Sequence, residues 1–322
     1  MNFPVSGVEV FPLIPPLIAF AISFFSSMGG VSGAFLLLPF QVSFLNFTSP
    51  AVSSTNLVYN VVAIPSGVIR YIKDGKMAWP LTWVIILGTL PGVLIGVFFR
   101  IKYFPDPRAF KFFVGLVLFY IGLQLLYQTT PYHLKRKNKA KEEENKFKTR
   151  VEKLKIQHKT ALNADMIPVQ RIRTLSFSLT RYEYEFWDEK HSFNPAFLFI
   201  VTFLVGIIGG IYGIGGGSII APFCIAVLGL PVYTIAGAVL LGTFLTSIVG
   251  IAYFYIIASK FAESGIAVTP DWALGLLFGV GGVLGMYFGA RAQKYFPEKW
   301  IKIILGFAIT FLSVRYIQQF FV

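Results

Sequence analysis

Two runs of glycine hold the residues best suited to bind a small molecule. Gly29, Gly30 and Gly33 interrupt an apolar stretch from Phe11 to Phe47. Gly213, Gly215, Gly216 and Gly217, preceded by Gly206, Gly209 and Gly210, interrupt its counterpart from Pro195 to Leu230. Glycine costs a helix roughly 1 kcal/mol relative to alanine, so the spacing predicts that both helices break. Each run is followed by an apolar stretch of helical character, beginning near Ala34 and near Ser218. The start of such a helix offers unpaired N–H groups and the positive end of a dipole to the break, which suits an anion. Gly30, Ser32, Gly33, Gly213, Gly215, Gly216, Gly217 and Ser218 are therefore candidate binding residues.

Polar side chains in the stretches that follow can face the same breaks. They are Ser53, Ser54, Thr55, Asn56 and Asn60 in the first half of the chain, and Thr243, Thr246 and Ser247 in the second. Asn56, Asn60, Thr243 and Thr246 complete the candidate set. For the hydroxyls the competing reading is a bond back to their own helix. The two amides lie one helical turn apart and need partners wherever water is excluded. Other chemistry lacks its residues. The single cysteine, Cys224, excludes an intramolecular disulfide and a CxxC site. His133, His158 and His191 all lie in one central region, and no Asp or Glu falls deep in an apolar stretch. An intramembrane enzyme is thus disfavoured, no metal or cofactor is expected, and the usual carboxylate for proton coupling is missing.

The elements that must hold these residues are membrane helices. Of the 322 residues, 55% are hydrophobic and only 13% charged, with a mean hydropathy of +0.68. No Asp, Glu, Lys or Arg occurs between Glu9 and Arg70, or from His191 to Ser259. A bilayer takes about 20 apolar residues per spanning helix, so each stretch is long enough for two or three passes. The formal charge of +13 points away from nucleic acid once it is located: 15 of the 28 Lys and Arg lie between Lys135 and Lys190, as a positive-inside signal does. No basic segment precedes Arg70, so the first helix is expected to act as its own insertion signal.

The chain also repeats itself. With a shift of 183 residues, Gly30, Gly33, Pro39 and Phe40 fall on Gly213, Gly216, Pro222 and Phe223, and Asn60 falls on Thr243. Gly88, Gly92 and Gly96 recur as Gly281, Gly285 and Gly289, a ridge of small residues that lets helices approach closely. Between the halves lies a charged segment whose first part is helix-forming and whose second part, RIRTLSFSLTRYEYEFWDEK, predicts a strand or hairpin. The chain therefore reads as an all-α polytopic membrane protein: a membrane repeat over 1–130, a small cytoplasmic linker subdomain over 131–192, and a second repeat over 193–322. If the broken segments are re-entrant hairpins the halves are inverted, with 22 Lys and Arg inside and six outside; full crossings make them parallel, with 20 and eight. The balance leans to inversion. Arg100, Lys102, Arg108 and Lys111 sit outside under both schemes, and topology gives no account of them.

These residues resemble the sulfite exporter TauE/SafE family of membrane permeases. The likeness rests on YGIGGGSIIAPF at 212–223, on its weaker twin GGVSGAFLLLPF at 29–40, on SSTNL at 53–57 and on the duplicated layout. The resemblance implies transport of sulfite, thiosulfate, sulfoacetate or another sulfur-containing anion by a multi-pass protein of the plasma or inner membrane. The first motif has Ser32 and Ala34 where the second has Gly215 and Gly217, so the halves are expected to contribute unequally. The expected partners are the anionic substrate and the lipid bilayer. A coupling ion, H+ or Na+, and a homodimer are left open, and a receptor or assembly factor acting through the linker is the alternative reading.

Overall fold

An aspartate or asparagine cap followed by proline decides where two of the long helices begin. In this computed structural model, which describes residues 1–28, 32–73, 77–130, 173–178, 180–186, 189–226, 228, 232–292, 295 and 298–321, the Asp106 carboxylate accepts from the Ala109 N–H at 2.8 Å and the Asn194 side chain from Phe197 at 3.1 Å. Each cap precedes a proline at the first helical position, where the missing N–H costs nothing. The first half comprises strands β1 (Asn2–Phe3) and β2 (Val8–Glu9) and helices α1 (Ile14–Met28), α2 (Ala34–Ser43), α3 (Ala51–Ala63), α4 (Pro65–Lys73), α5 (Trp79–Lys102) and α6 (Pro107–Tyr127). Strands β3 (Arg173–Phe177), β4 (Tyr182–Phe186) and β5 (Glu189–Phe193) form an antiparallel meander. The expected helix in the earlier part of the linker lies outside the described residues. Helices α7 (Pro195–Tyr212), α8 (Gly217–Ala226), α9 (Val232–Ala258), α10 (Trp272–Ala292) and α11 (Glu298–Phe321) complete the chain.

Among the described residues, seven helical segments are long and apolar enough to cross a bilayer, α3 and α4 counting as one. Their surfaces agree. Trp83 and Leu87 of α5, Leu116, Tyr120 and Leu123 of α6, and Ile304, Phe307 and Phe311 of α11 are exposed, while Ser53, Ser54, Thr55, Asn56, Asn60, Thr246 and Ser247 are wholly buried. Apolar outside and polar inside is stable only against lipid.

The direction of each helix can be read from its glycine contacts. Gly88, Gly92 and Gly96 of α5 lie against Phe199, Phe203 and Ile207 of α7 in rising order, so these helices run parallel. Gly281, Gly285 and Gly289 of α10 meet Pro16, Phe20 and Phe24 of α1 in the same sense. Gly275 and Gly279 of α10 lie on Val58 and Val62 of the α3 segment, also parallel, and Gly242 and Gly250 of α9 lie on Ile85 and Val93 of α5. In contrast the segment α3–α4 and α9 are antiparallel, with Leu57 on Gly250 and Gly67 on Leu240, and so are α6 and α11, with Gly115 on Tyr316 and Gly122 on Thr310. Four helices of the first half therefore point opposite to four of the second: α1 to α7, α3 to α9, α5 to α10 and α6 to α11.

The small residues make this possible, because carbonyl oxygens of one helix occupy the space where the other would carry Cβ atoms. A Cβ at Gly206 would come within 2.6 Å of the Thr89 carbonyl oxygen. The N-terminal hairpin closes one end of the bundle. Phe3 is buried, and Ser6 donates through N and Oγ to Asp271 Oδ2 at 3.2 and 2.9 Å. The other Asp271 oxygen accepts from Leu274 N at 3.2 Å, capping α10.

Opposed halves predict which positions share a face of the membrane. Single cysteines at Arg108 and Lys260, in a Cys224→Ser background, should be modified together by an impermeant thiol reagent, and cysteines at Arg291 and Lys299 only from the opposite side. Parallel halves would place positions 108 and 299 together.

Candidate functional site

The second break is built by left-handed glycine. Gly213, Gly215 and Gly216 have φ of 85°, 67° and 80°, a region where any side chain is strained. The N–H groups of Gly213 and Ile214 both bond to Gly209 O, at 2.8 and 3.1 Å, and close α7. Gly216 O accepts from Ile219 and Ile220, at 3.0 and 3.1 Å, and opens α8. The chain turns back on itself here, since a Cβ on Gly209 would lie 2.6 Å from Gly216 N. Between the two helices, the N–H groups of Gly215, Gly216 and Gly217 meet no acceptor among the described residues. Successive N–H groups in this conformation form a concave, positively polarised nest, and the start of α8 adds its dipole.

The nest is pressed against α9. A Cβ at Gly215 would lie 2.9 Å from Thr243 Cγ2 and 3.0 Å from Ser247 Oγ, and one at Gly217 would collide with Thr243 Oγ1. Gly216 has room, with Val205 Cγ1 and Ile220 Cδ1 at 3.4 and 3.5 Å, so only its φ demands glycine. Ser218 lies in the first turn of α8, and its side chain lies outside the described residues.

The first break differs. Gly30 lies outside the described residues. Gly33 caps α2 in a right-handed conformation, with φ of −67° and ψ of −25°, and the Ala34 N–H is taken by Ser32 Oγ at 3.3 Å. Gly33 also fits against Tyr59 Oη and Ser23 Oγ, which bond to each other at 2.8 Å.

Asn56 joins the two breaks. Its Nδ2 donates to Ala34 O and to Gly213 O, both at 3.0 Å. Two carbonyl partners fix the amide orientation, so Oδ1 is the atom that accepts from Gln41 Nε2, at 3.4 Å. Tyr212 Oη donates to Phe35 O at 2.7 Å across the same junction. Asn60 Nδ2 reaches Ser247 Oγ at 3.3 Å, while Asn60 Oδ1 and Gln41 Oε1 are buried without a partner among the described residues. The hydroxyls are engaged with their own helix: Thr243 with Val239 O at 2.8 Å, Thr246 with Gly242 O at 2.8 Å and Ser247 with Thr243 O at 2.7 Å. Thr246 also approaches Gly215 O at 3.3 Å. The donors left without an acceptor among the described residues are thus backbone amides.

Sequence reasoning passed over Gln41, Tyr59 and Tyr212, and left Arg100 without explanation. Arg100 is completely buried at the end of α5. It donates to Ser53 Oγ at 3.2 Å, to Thr48 O at 2.9 Å and to Phe104 O, with its guanidinium 3.6 Å above the Phe110 ring. Its place beside Phe98, Phe99 and Phe104 in an apolar helix end is a signal that could have marked it.

Bilayer-length helices around two broken ones, with polar groups turned inward, define a multi-pass membrane protein of the permease class. A model of the family described as "Sulfite exporter TauE/SafE" matches residues 16–316, and the chain belongs to that family. It is also similar to "Probable membrane transporter protein YdhB" of Bacillus subtilis (strain 168), 29% identical over 116 residues, which cover 36% of this chain and 43% of the relative. The match therefore spans less than half the length of that relative. No solved structure matches.

The geometry separates the two asparagines. Asn56→Leu strands two buried carbonyls, each costing about 1–3 kcal/mol, and should lower the midpoint of thermal unfolding clearly. Asn60→Leu removes one weak bond and an unpartnered oxygen, and should change it little.

Proposed function

We propose that this chain is a secondary transporter that moves a small anion, a sulfur oxyanion such as sulfite or thiosulfate or a sulfonate such as sulfoacetate, across the cytoplasmic membrane by alternating access. One observation carries the reading: three adjacent amide N–H groups, of Gly215, Gly216 and Gly217, are left without acceptors among the described residues at a helix break inside the bundle. Irregular backbone at membrane depth persists where protein or a water-filled cavity receives its polar groups. The carbonyls of Ile211 and Gly213 are met by α3 side chains, that of Gly215 by Thr246, and those of Gly209 and Gly216 by backbone N–H groups, which leaves donors in excess and favours a guest that only accepts. Family membership supports the transport class and the sulfur-containing substrates.

Opposed halves support the mechanism. Broken helices that meet near the middle of the bundle, in halves of opposite direction, are the arrangement from which alternating access is built in secondary transporters. We read the face bearing Arg291 and Lys299 as cytoplasmic, because it also receives the basic linker. We assign the substrate amides mainly to the second half, where the N–H groups of Gly215, Gly216 and Gly217 lie.

A thermal-shift screen of the purified protein against sulfite, thiosulfate, sulfate, sulfonates and chloride should give selective stabilisation by the transported anions. In proteoliposomes, Gly217→Val should abolish anion flux by filling the space held by Thr243. Gly216→Ala, which has room but forces alanine into a left-handed backbone at about 1–2 kcal/mol, should reduce flux about tenfold. Undiminished flux in both variants would remove the glycine nest from the pathway.

A further inference from the structure

The tip between α7 and α8 contains two helix ends with opposite polarity. The last carbonyls of α7 repel an anion as the first amides of α8 attract it. A tip of this kind favours anions only if the end of α7 is neutralised. Asn56 does part of this by donating to Gly213 O at 3.0 Å, and Ser53 Oγ donates to Ile211 O at 2.9 Å. Behind Ser53 stands Arg100, whose Nε donates to the same hydroxyl at 3.2 Å. Ser53 thus passes the polarisation of a full positive charge to a carbonyl of the last turn of α7.

That charge is uncompensated. The partners of Arg100 are a hydroxyl, two backbone carbonyls and an aromatic face, and no carboxylate pairs with it among the described residues. A buried charge without a counter-ion is costly to a fold. Neutral donors could tie down the same carbonyls at less cost, so stability alone does not account for a guanidinium here.

We propose that Arg100 is the fixed positive charge that makes this tip selective for anions, a positioning and selectivity residue that acts on the end of α7 through Ser53 rather than by touching the substrate. The proposal rests on the transport reading above and deepens it. It assigns the missing counter-charge to the substrate itself: the guanidinium and the arriving anion form a separated pair, with Ser53 and the α7 terminus between them. A fixed charge acts in proportion to the charge of its guest, so dianions depend on Arg100 more than monoanions do.

The test compares thiosulfate with nitrate, measured by calorimetry on the purified full chain and on Arg100→Gln and Arg100→Lys. Gln removes the charge and keeps a donor; Lys keeps the charge and loses the planar fork. The expected result is a loss of about tenfold for nitrate and about a hundredfold for thiosulfate in Arg100→Gln, with Arg100→Lys within about threefold of the parent for both. Equal losses for the two anions, or equal losses in the two variants, would assign Arg100 a purely structural role and overturn the proposal. Should Arg100→Gln fail to fold, Arg100→Lys decides alone: retained thiosulfate binding supports the proposal and lost binding by a folded protein overturns it. A parent protein that binds neither anion overturns the transport reading as well, whereas a parent that binds both with an unaffected Arg100→Gln overturns only this inference.

Discussion

Unwound backbone inside a bilayer must have its polar groups answered by the protein, and the rest of this structure follows from how that is done. Asn56 answers two carbonyls at once, one from each half, and so holds the junction of both breaks from a single position on α3. Ser53 and Tyr212 answer two more, at Ile211 and Phe35. The pattern is one-sided. Several carbonyls are met while, among the described residues, the amides of three consecutive glycines are not, and an imbalance of that sign is the basis of the proposed affinity for negative charge.

Close approach is the second requirement. A helix that ends in mid-membrane has little contact area of its own, and it gains support by lying tightly along a full-length neighbour. α7 lies along α5 and α1 along α10, each pair meeting at glycines where backbone oxygens fill the place of side chains. Without an apolar driving force between helices in lipid, such close packing is a main source of attraction. The glycines therefore divide by role. Those at 88–96 and 281–289 build seams, whereas Gly213, Gly215 and Gly216 are needed for backbone conformation.

Much of this was legible in the sequence because glycine and proline encode backbone geometry directly. The membrane class follows from the two long uncharged stretches, and the starts of α2 and α8 fall where the glycine runs end. The direction of the halves was only weakly indicated by counting Lys and Arg, since the two schemes differ by two residues in their balance. Three-dimensional contacts are needed to see that Gly88 to Gly96 meet α7. The site was harder to read. Thr243, Thr246 and Ser247 stand where polar residues line a site, yet their hydroxyls turn back to their own helix, a choice that sequence leaves open. Arg100 looked like an anomaly of topology because two of its partners, Thr48 and Ser53, lie about 50 residues before it in the chain and meet it only in the fold, beside Phe104 and Phe110.

The reciprocal seams carry a consequence for how such a molecule holds together. Neither half covers its own ridge of small residues: α5 gives its ridge to α7, and α10 gives its ridge to α1. The halves are interlocked, each incomplete until the other threads a helix across. A chain of half this length, built the same way, would have no solitary folded form in a bilayer and would be stable only as an intertwined couple inserted in opposite senses. Joining the two in one polypeptide removes the need for copies to meet.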